Sequence, residues 1–263
     1  MGHLGELRKR VTYSAIVVIV FMIAAFIFKD RVFAVLLRPL ENTGVTELTT
    51  LGVTEAFMQV LKVSIYAGLI CALPFLLYQF WAFIMPALYE NEKKGVIPYV
   101  ILTTVLFAAG IAFGYFIVLP IGLKFMVGYG ARITVEGDPV FNQLLQADNY
   151  ISFVSLFLLA FALVFELPLV MMLLAWAGLV DHVKMRKYRK YAILVEAVIA
   201  MVLTPSQDPV SMALMLIPLI VLYEFGIWLA KVAAKRRAKH QAEAALAEAE
   251  HEGALPEAES AGG

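Results

Sequence analysis

One carboxylate in this chain stands where a carboxylate is costly. Glu166 lies in Val164-Phe-Glu-Leu-Pro168, inside an apolar run reaching from about Tyr150 to Trp176. An ionisable group at that depth of a membrane-length helix costs several kcal/mol unless it faces protein or water, so the default expectation is a functional position. The plainer alternative is a protonated carboxyl hydrogen-bonded to a neighbouring helix and serving packing only. Lys62, Lys124, Glu196 and Glu224 lie nearer the ends of their apolar runs, where long side chains snorkel to the interface. Two polar segments are richer: Gly2-His-Leu-Gly-Glu-Leu-Arg-Lys-Arg10, and Phe80-Trp-Ala-Phe-Ile-Met-Pro-Ala-Leu-Tyr-Glu-Asn-Glu-Lys-Lys94. Each sets a carboxylate among bases. By spacing alone, Glu6 with Arg10 and Glu90 with Lys94 are i,i+4 helix-surface ion pairs worth a few tenths of a kcal/mol.

Catalytic chemistry finds little to work with. The histidines, His3, His182, His240 and His251, all fall outside the apolar runs, and no zinc-protease, phosphate-loop or nucleophile-elbow motif is present. The single cysteine, Cys71, excludes an intrachain disulfide and a thiolate metal cluster. An enzyme would need carboxylates alone; no metal, nucleotide or other cofactor is expected.

The elements that must position these residues are membrane spans. Hydrophobic residues make up 62% of the chain and charged ones 16%, with mean hydropathy +0.82, more apolar surface than a soluble core of 263 residues absorbs. Spanning takes about 20 apolar residues. Six helices are expected at about 11–28, 56–83, 96–125, 150–176, 191–204 and 210–229. Pro74 should kink the second, and Gly110 and Gly114 in the third form a small-xxx-small pair that admits a close neighbour. Residues 191–204 span only about 21 Å at 1.5 Å per residue, short of a ~30 Å core, so the fifth and sixth are expected as a short hairpin in thinned bilayer around Thr204-Pro-Ser-Gln-Asp-Pro209. Positive residues stay on the cytoplasmic side. They gather in Arg8 to Arg10, Lys93 and Lys94, Lys184 to Lys190 and Lys231 to Lys239, against only Lys29, Arg31, Arg38 and Arg132 in the opposite loops, which places both ends in the cytoplasm. Trp81, Tyr89, Tyr99, Trp176, Tyr188 and Trp228 suit the interfacial aromatic belts, and the long outer loops, roughly 29–55 and 126–149, read as a polar cap. Residues 1–231 thus form the membrane domain, and the Ala/Glu-rich stretch 232–263 reads as a frayed helix, then disorder.

The two basic-acidic segments, the Phe-Glu-Leu-Pro stretch and the Thr-Pro…Asp turn, in this order and spacing from His3 to about Lys231, resemble the TatC family, the receptor subunit of the twin-arginine protein translocase. The resemblance implies a concave six-helix bundle in the cytoplasmic (inner) membrane that recognises signal peptides of folded export cargo, works with TatA-type and TatB-type single-span subunits, is oligomeric, and draws on the transmembrane proton gradient. By the same resemblance, carboxylates matching Glu6 and Glu92 bind the twin-arginine motif, with neighbours matching Arg8, Phe83, Pro86, Leu88 and Tyr89. Glu166 matches the family's polar residue within the bilayer, and Pro39 and Asp208 match positions in the outer cap and the last outer turn. Two features depart from the pattern: Ser206-Gln207 put one extra residue before Asp208, and Glu196 has no family counterpart. The main rival is a proton-coupled small-solute transporter using Glu166, against which stands the lack of an internal repeat.

Overall fold

The computed structural model describes residues 3–41, 43, 48–88, 96–131, 134–135, 138–139, 145–203, 209 and 212–235. It is helical: α1 His3–Ile27, α2 Lys29–Glu41, α3 Glu55–Leu88, α4 Val96–Phe113, a π-helical turn Gly114–Val118, α5 Leu119–Ala131, α6 Ala147–Val164, α7 Leu167–Ala177, α8 His182–Lys187 and α9 Arg189–Leu203. A last helix, α10, spans Met212–Lys235. Strands β1 (Thr134–Val135) and β2 (Asp138–Pro139) form a two-residue antiparallel ladder. Five stretches among the described residues are long and apolar enough to cross a membrane: Gly5–Ile27, Glu55–Phe83, Tyr99–Tyr129, Ala147–Ala177 and Met212–Lys235. The expected fifth segment is helical as α9 but short, 15 residues. At 1.5 Å per residue that is about 22 Å.

Several expectations change in detail. The first span begins at His3, so the Glu6 segment is helical, and the last runs on to Lys235. α3 is continuous through Pro74. The fourth span is broken: α6 stops at Val164 and α7 starts at Leu167. Pro168 explains the break, because it lacks the N–H that would bond the Val164 carbonyl, yet it is tolerated in a helix's first turn. Gly178, at φ 76°, closes α7, and Leu179 N–H donates back to the Leu174 carbonyl at 3.0 Å.

The chain divides into two compact units. The first comprises Met1–Glu166 and Val195–Leu219. In it, Gly68 admits α1 directly against α3: an added Cβ would sit 2.5 Å from the Met22 Cα. Gly110 and Gly114 do the same for α6, a Cβ on Gly110 falling 2.7 Å from the Phe161 carbonyl oxygen and one on Gly114 3.1 Å from the Phe161 ring. The spacing read from sequence is therefore a helix contact. Phe153, Phe157, Phe161 and Phe165 stack along α6 at centroid distances of 5.2, 4.7 and 6.5 Å, and Phe113 joins Phe165 at 5.6 Å. The second unit, Leu167–Leu194 with Ile220–Gly263, packs Met171, Ala175, Met185, Ile227 and Ala230 into its own core. There the Tyr223 hydroxyl donates to the Met185 carbonyl at 2.9 Å, and Arg189 Nη2 meets Glu224 Oε2 at 2.5 Å.

The connection between α1 and α3 contains a helix, α2. Val32, Phe33, Leu36, Leu37 and Leu40 fall on one face of α2, with Asp30 in its first turn and Arg38 in its last to complement the helix dipole. Pro39 sits inside α2 and is buried. It cannot donate to the Val35 carbonyl, and the Tyr115 hydroxyl donates to that oxygen instead, at 2.6 Å. The Tyr150 hydroxyl donates to the adjacent Leu36 carbonyl at 2.8 Å. Tyr115→Phe is expected to cost about 0.5–1.5 kcal/mol by removing this hydrogen bond, seen as a lower thermal midpoint in detergent. The connections before α3 and before α6 are tied by Thr49, whose N–H donates to the Leu145 carbonyl and whose carbonyl accepts from the Ala147 N–H, at 2.9 Å each.

Candidate functional site

The residues with chemistry fall into three places. The first is a cleft of about 450 Å³ near the start of α1, lined by Gly5, Glu6, Lys9, Arg10, Tyr13, Tyr78 and Gln79. Glu6 and Arg10 share a helix face at i,i+4, as the spacing requires. Arg10 donates to Glu6 Oε1 from Nε at 3.2 Å and from Nη2 at 2.6 Å, and from Nη1 to the Gln79 Oε1 of α3 at 3.0 Å. A carboxylate here thus already holds a guanidinium through two of its nitrogens, both on one oxygen. Lys9 lies over the Tyr13 ring, 5.9 Å from its centroid. Arg8 is exposed and is not among the residues lining the cleft. Phe83 is half-buried on α3, one turn on from Gln79 and on the same face. Pro86 and Leu88 fall within α3, but their side chains lie outside the described residues, as do Tyr89, Glu90, Glu92 and Lys94. Trp81 is only 2% exposed and stacks on Tyr99 at 5.7 Å, because α3 continues past it and brings α4 over its ring. Lys9, Tyr13, Tyr78 and Gln79 were not foreseen. Tyr78 and Gln79 carry a readable signal, a polar pair within an apolar helix.

The second place is Glu166, at the break between α6 and α7. It is 7% exposed, and its Oε1 has no hydrogen-bond partner among the described residues. Its backbone N–H donates to the Leu163 carbonyl at 3.1 Å. The break thus sets a carboxyl group, buried beyond the last ring of the α6 aromatic stack, next to a loosened backbone turn. Such a group takes up or gives up a proton, or a partner's hydrogen bond, at large energetic consequence.

The third place lies near the N-terminal ends of α3 and α6. Lys62 and Asp148 form an ion pair, Gln59 Nε2 donates to the same Asp148 oxygen at 2.7 Å, and Lys62 Nζ donates to Ser152 Oγ at 3.3 Å. Lys62 is therefore paired across two helices rather than merely snorkelling, and Glu224 is paired with Arg189. Glu196 is 4% exposed, buried in α9 and not reaching for an interface, since it occupies the helix's inward face with Ala200. Lys124 is exposed, and Asp208 lies outside the described residues.

Comparison with known proteins places this arrangement. Residues 2–218 match the family model described as Sec-independent protein translocase protein (TatC). The Sec-independent protein translocase protein TatC of Desulforapulum autotrophicum is 43% identical over 246 residues, 92% of this chain and 88% of that one. That of Aquifex aeolicus is 40% identical over 245 residues, 91% of this chain and 97% of the relative. Two crystal structures described as the twin arginine translocase receptor TatC, one of them in DDM, superpose with TM-scores of 0.77 and 0.78 at 39% and 40% identity; they cover 88% and 87% of this chain and 99% of each solved chain. Since the match runs through all three places just described, the chain belongs to the TatC family of Sec-independent protein translocase proteins, a multi-pass membrane component of a translocase complex and not an enzyme.

Proposed function

We propose that the chain is the receptor subunit of a twin-arginine translocase. It binds twin-arginine signal peptides at the α1–α3 cleft and, with TatA-type and TatB-type single-span subunits, exports folded cargo across the cytoplasmic membrane. The observation that carries this reading is the Glu6 carboxylate holding a guanidinium in an open cleft that also offers two tyrosine rings and Gln79. A guanidinium presents a planar fork of donors to carboxylates, whereas an ammonium is a point charge. Glu6, with Glu92 from the neighbouring segment, selects two arginines over two lysines. Arg8, Phe83, Pro86, Leu88 and Tyr89 flank the peptide, and its apolar part gains about 0.8 kcal/mol per buried methylene with little sequence preference. Both chain ends are cytoplasmic, following the Lys and Arg distribution.

The energy comes from the proton gradient. In inverted vesicles containing ATP, a protonophore is expected to stop export of a twin-arginine reporter; export that continues would refute the assignment. Glu166 acts after recognition, engaging partner subunits or perturbing the bilayer. Glu166→Ala is expected to leave signal-peptide binding within about twofold, the spread of a residue remote from the interface, while export falls to a small fraction. A variant that loses binding and export together would relocate the peptide site to Glu166.

A further inference from the structure

A second cavity, of about 710 Å³, lies in the first unit between α2, α3 and α4, a size within the roughly 300–1,000 Å³ of small-molecule sites. Its walls are apolar side chains such as Val63, Ile70, Phe107 and Ile111. The hydroxyls along it are engaged inside the protein where their bonds are described: Tyr115 with the Val35 carbonyl, Thr104 with the Val100 carbonyl at 2.8 Å. Among the described residues, the one charged group on its lining is Arg31, at the α2 end. Arg31 is exposed, has no ion pair among the described residues, and is held by the Phe28 ring 5.8 Å away. Its neighbours Lys29 and Asp30 line a different cavity.

The dimensions point to an occupant. Along α3 the lining runs from Val63 to Pro74 and along α4 from Thr104 into the π-helical turn at Phe116. At 1.5 Å per residue these stretches are about 17 and 18 Å long, close to the ~15 Å depth of one leaflet's hydrocarbon. An apolar groove one leaflet deep, open to the bilayer and ending at a guanidinium with no ion pair among the described residues, in the first turn of an interfacial amphipathic helix, matches one acyl chain with an anionic headgroup above it. We propose that this groove binds an anionic phospholipid of the leaflet on the α2 side, its acyl chain along α3 and α4 and its phosphate on Arg31. The site is separate from the α1–α3 cleft and does not depend on the function proposed for it.

Cys71, exposed on the groove lining and the only cysteine in the chain, is a built-in reporter. The full chain carrying a bimane on Cys71 is placed in phosphatidylcholine nanodiscs containing a small fraction of brominated phosphatidylglycerol or brominated phosphatidylcholine. The phosphatidylglycerol should quench at about fivefold lower mole fraction, the preference expected of one basic side chain at a membrane surface. Arg31→Gln should abolish the difference, while Arg38→Gln, on α2 but off the groove, should keep it. Native mass spectrometry of the unlabelled protein from an equimolar mixture of the two lipids should show one phosphatidylglycerol retained that Arg31→Gln loses, which guards against the label filling the groove. Equal retention of both lipids by the unlabelled chain, or a preference that survives Arg31→Gln, overturns the proposal. So does quenching only by a nitroxide in the apolar segment of an added signal peptide, which would assign the groove to the peptide.

Discussion

Replacing Glu6 by alanine is expected to weaken binding of a twin-arginine signal peptide to the purified protein in detergent by roughly 10- to 100-fold, the value of a charge-assisted hydrogen-bonded pair. It should scarcely change binding of the twin-lysine variant. The same is expected of Glu92→Ala, so both variants should bind the two peptides alike. Arg10 gives the experiment a third arm. It occupies Glu6 Oε1 now, and a peptide arginine must share or displace it. The pair is partly exposed, with 47% of the Glu6 side chain accessible, so parting it costs at most about 1 kcal/mol. Arg10→Gln should therefore tighten twin-arginine binding by up to about fivefold while leaving twin-lysine binding nearly unchanged. Binding that ignores arginine against lysine in the unaltered protein would remove the cleft from the account.

The second large effect is expected at Gly68. A valine there would place its Cβ 2.5 and 2.6 Å from the Met22 Cα and nitrogen, atoms of backbone that no rotamer change can move away. α1 would have to separate from α3, and overpacking of this kind costs about 1–3 kcal/mol. At a few degrees per kcal/mol for a chain of this size, the thermal midpoint in detergent should fall by roughly 5–10 °C. Because Arg10 reaches Gln79 across the same pair of helices, the cleft should loosen too, and peptide affinity should drop even though Gly68 is remote from it. Gly122→Ala, where an added Cβ meets nothing within 4 Å, is the control and should leave both readings unchanged.

What was legible in the sequence follows from range. The long apolar runs announce spans because length and hydropathy are local properties. The Glu6–Arg10 pair is legible because four residues on a helix are one turn, and Gly110 with Gly114 because small residues at that spacing have few other uses in a membrane helix. Lys62 with Asp148 was not, since nothing local couples residues 86 positions apart. α2 was hidden by its mixed composition; the spacing of Val32, Phe33, Leu36, Leu37 and Leu40 carried its signal, which a search for runs passes over. The Trp81–Tyr99 stack was not legible either, since it joins two helices that nothing local couples.

The π-helical turn at Gly114–Val118 sets the register of the third span. Toward its start, the buried positions Thr103, Phe107, Gly110 and Gly114 form one stripe, as a spacing of three and four demands. Continued as a regular helix at about 100° per residue, Leu119 and Leu123 would point roughly 160–200° away from that stripe, yet both are buried. One additional residue in the wider turn takes back about 100° of that drift. The turn behaves as a tolerated insertion: deleting one residue from 114–118 would leave a regular helix with Leu119 and Leu123 still facing inward, whereas straightening the turn with all its residues kept would swing both away from the buried stripe. A one-residue alignment gap is therefore harmless here and would rotate the buried face anywhere else in the span.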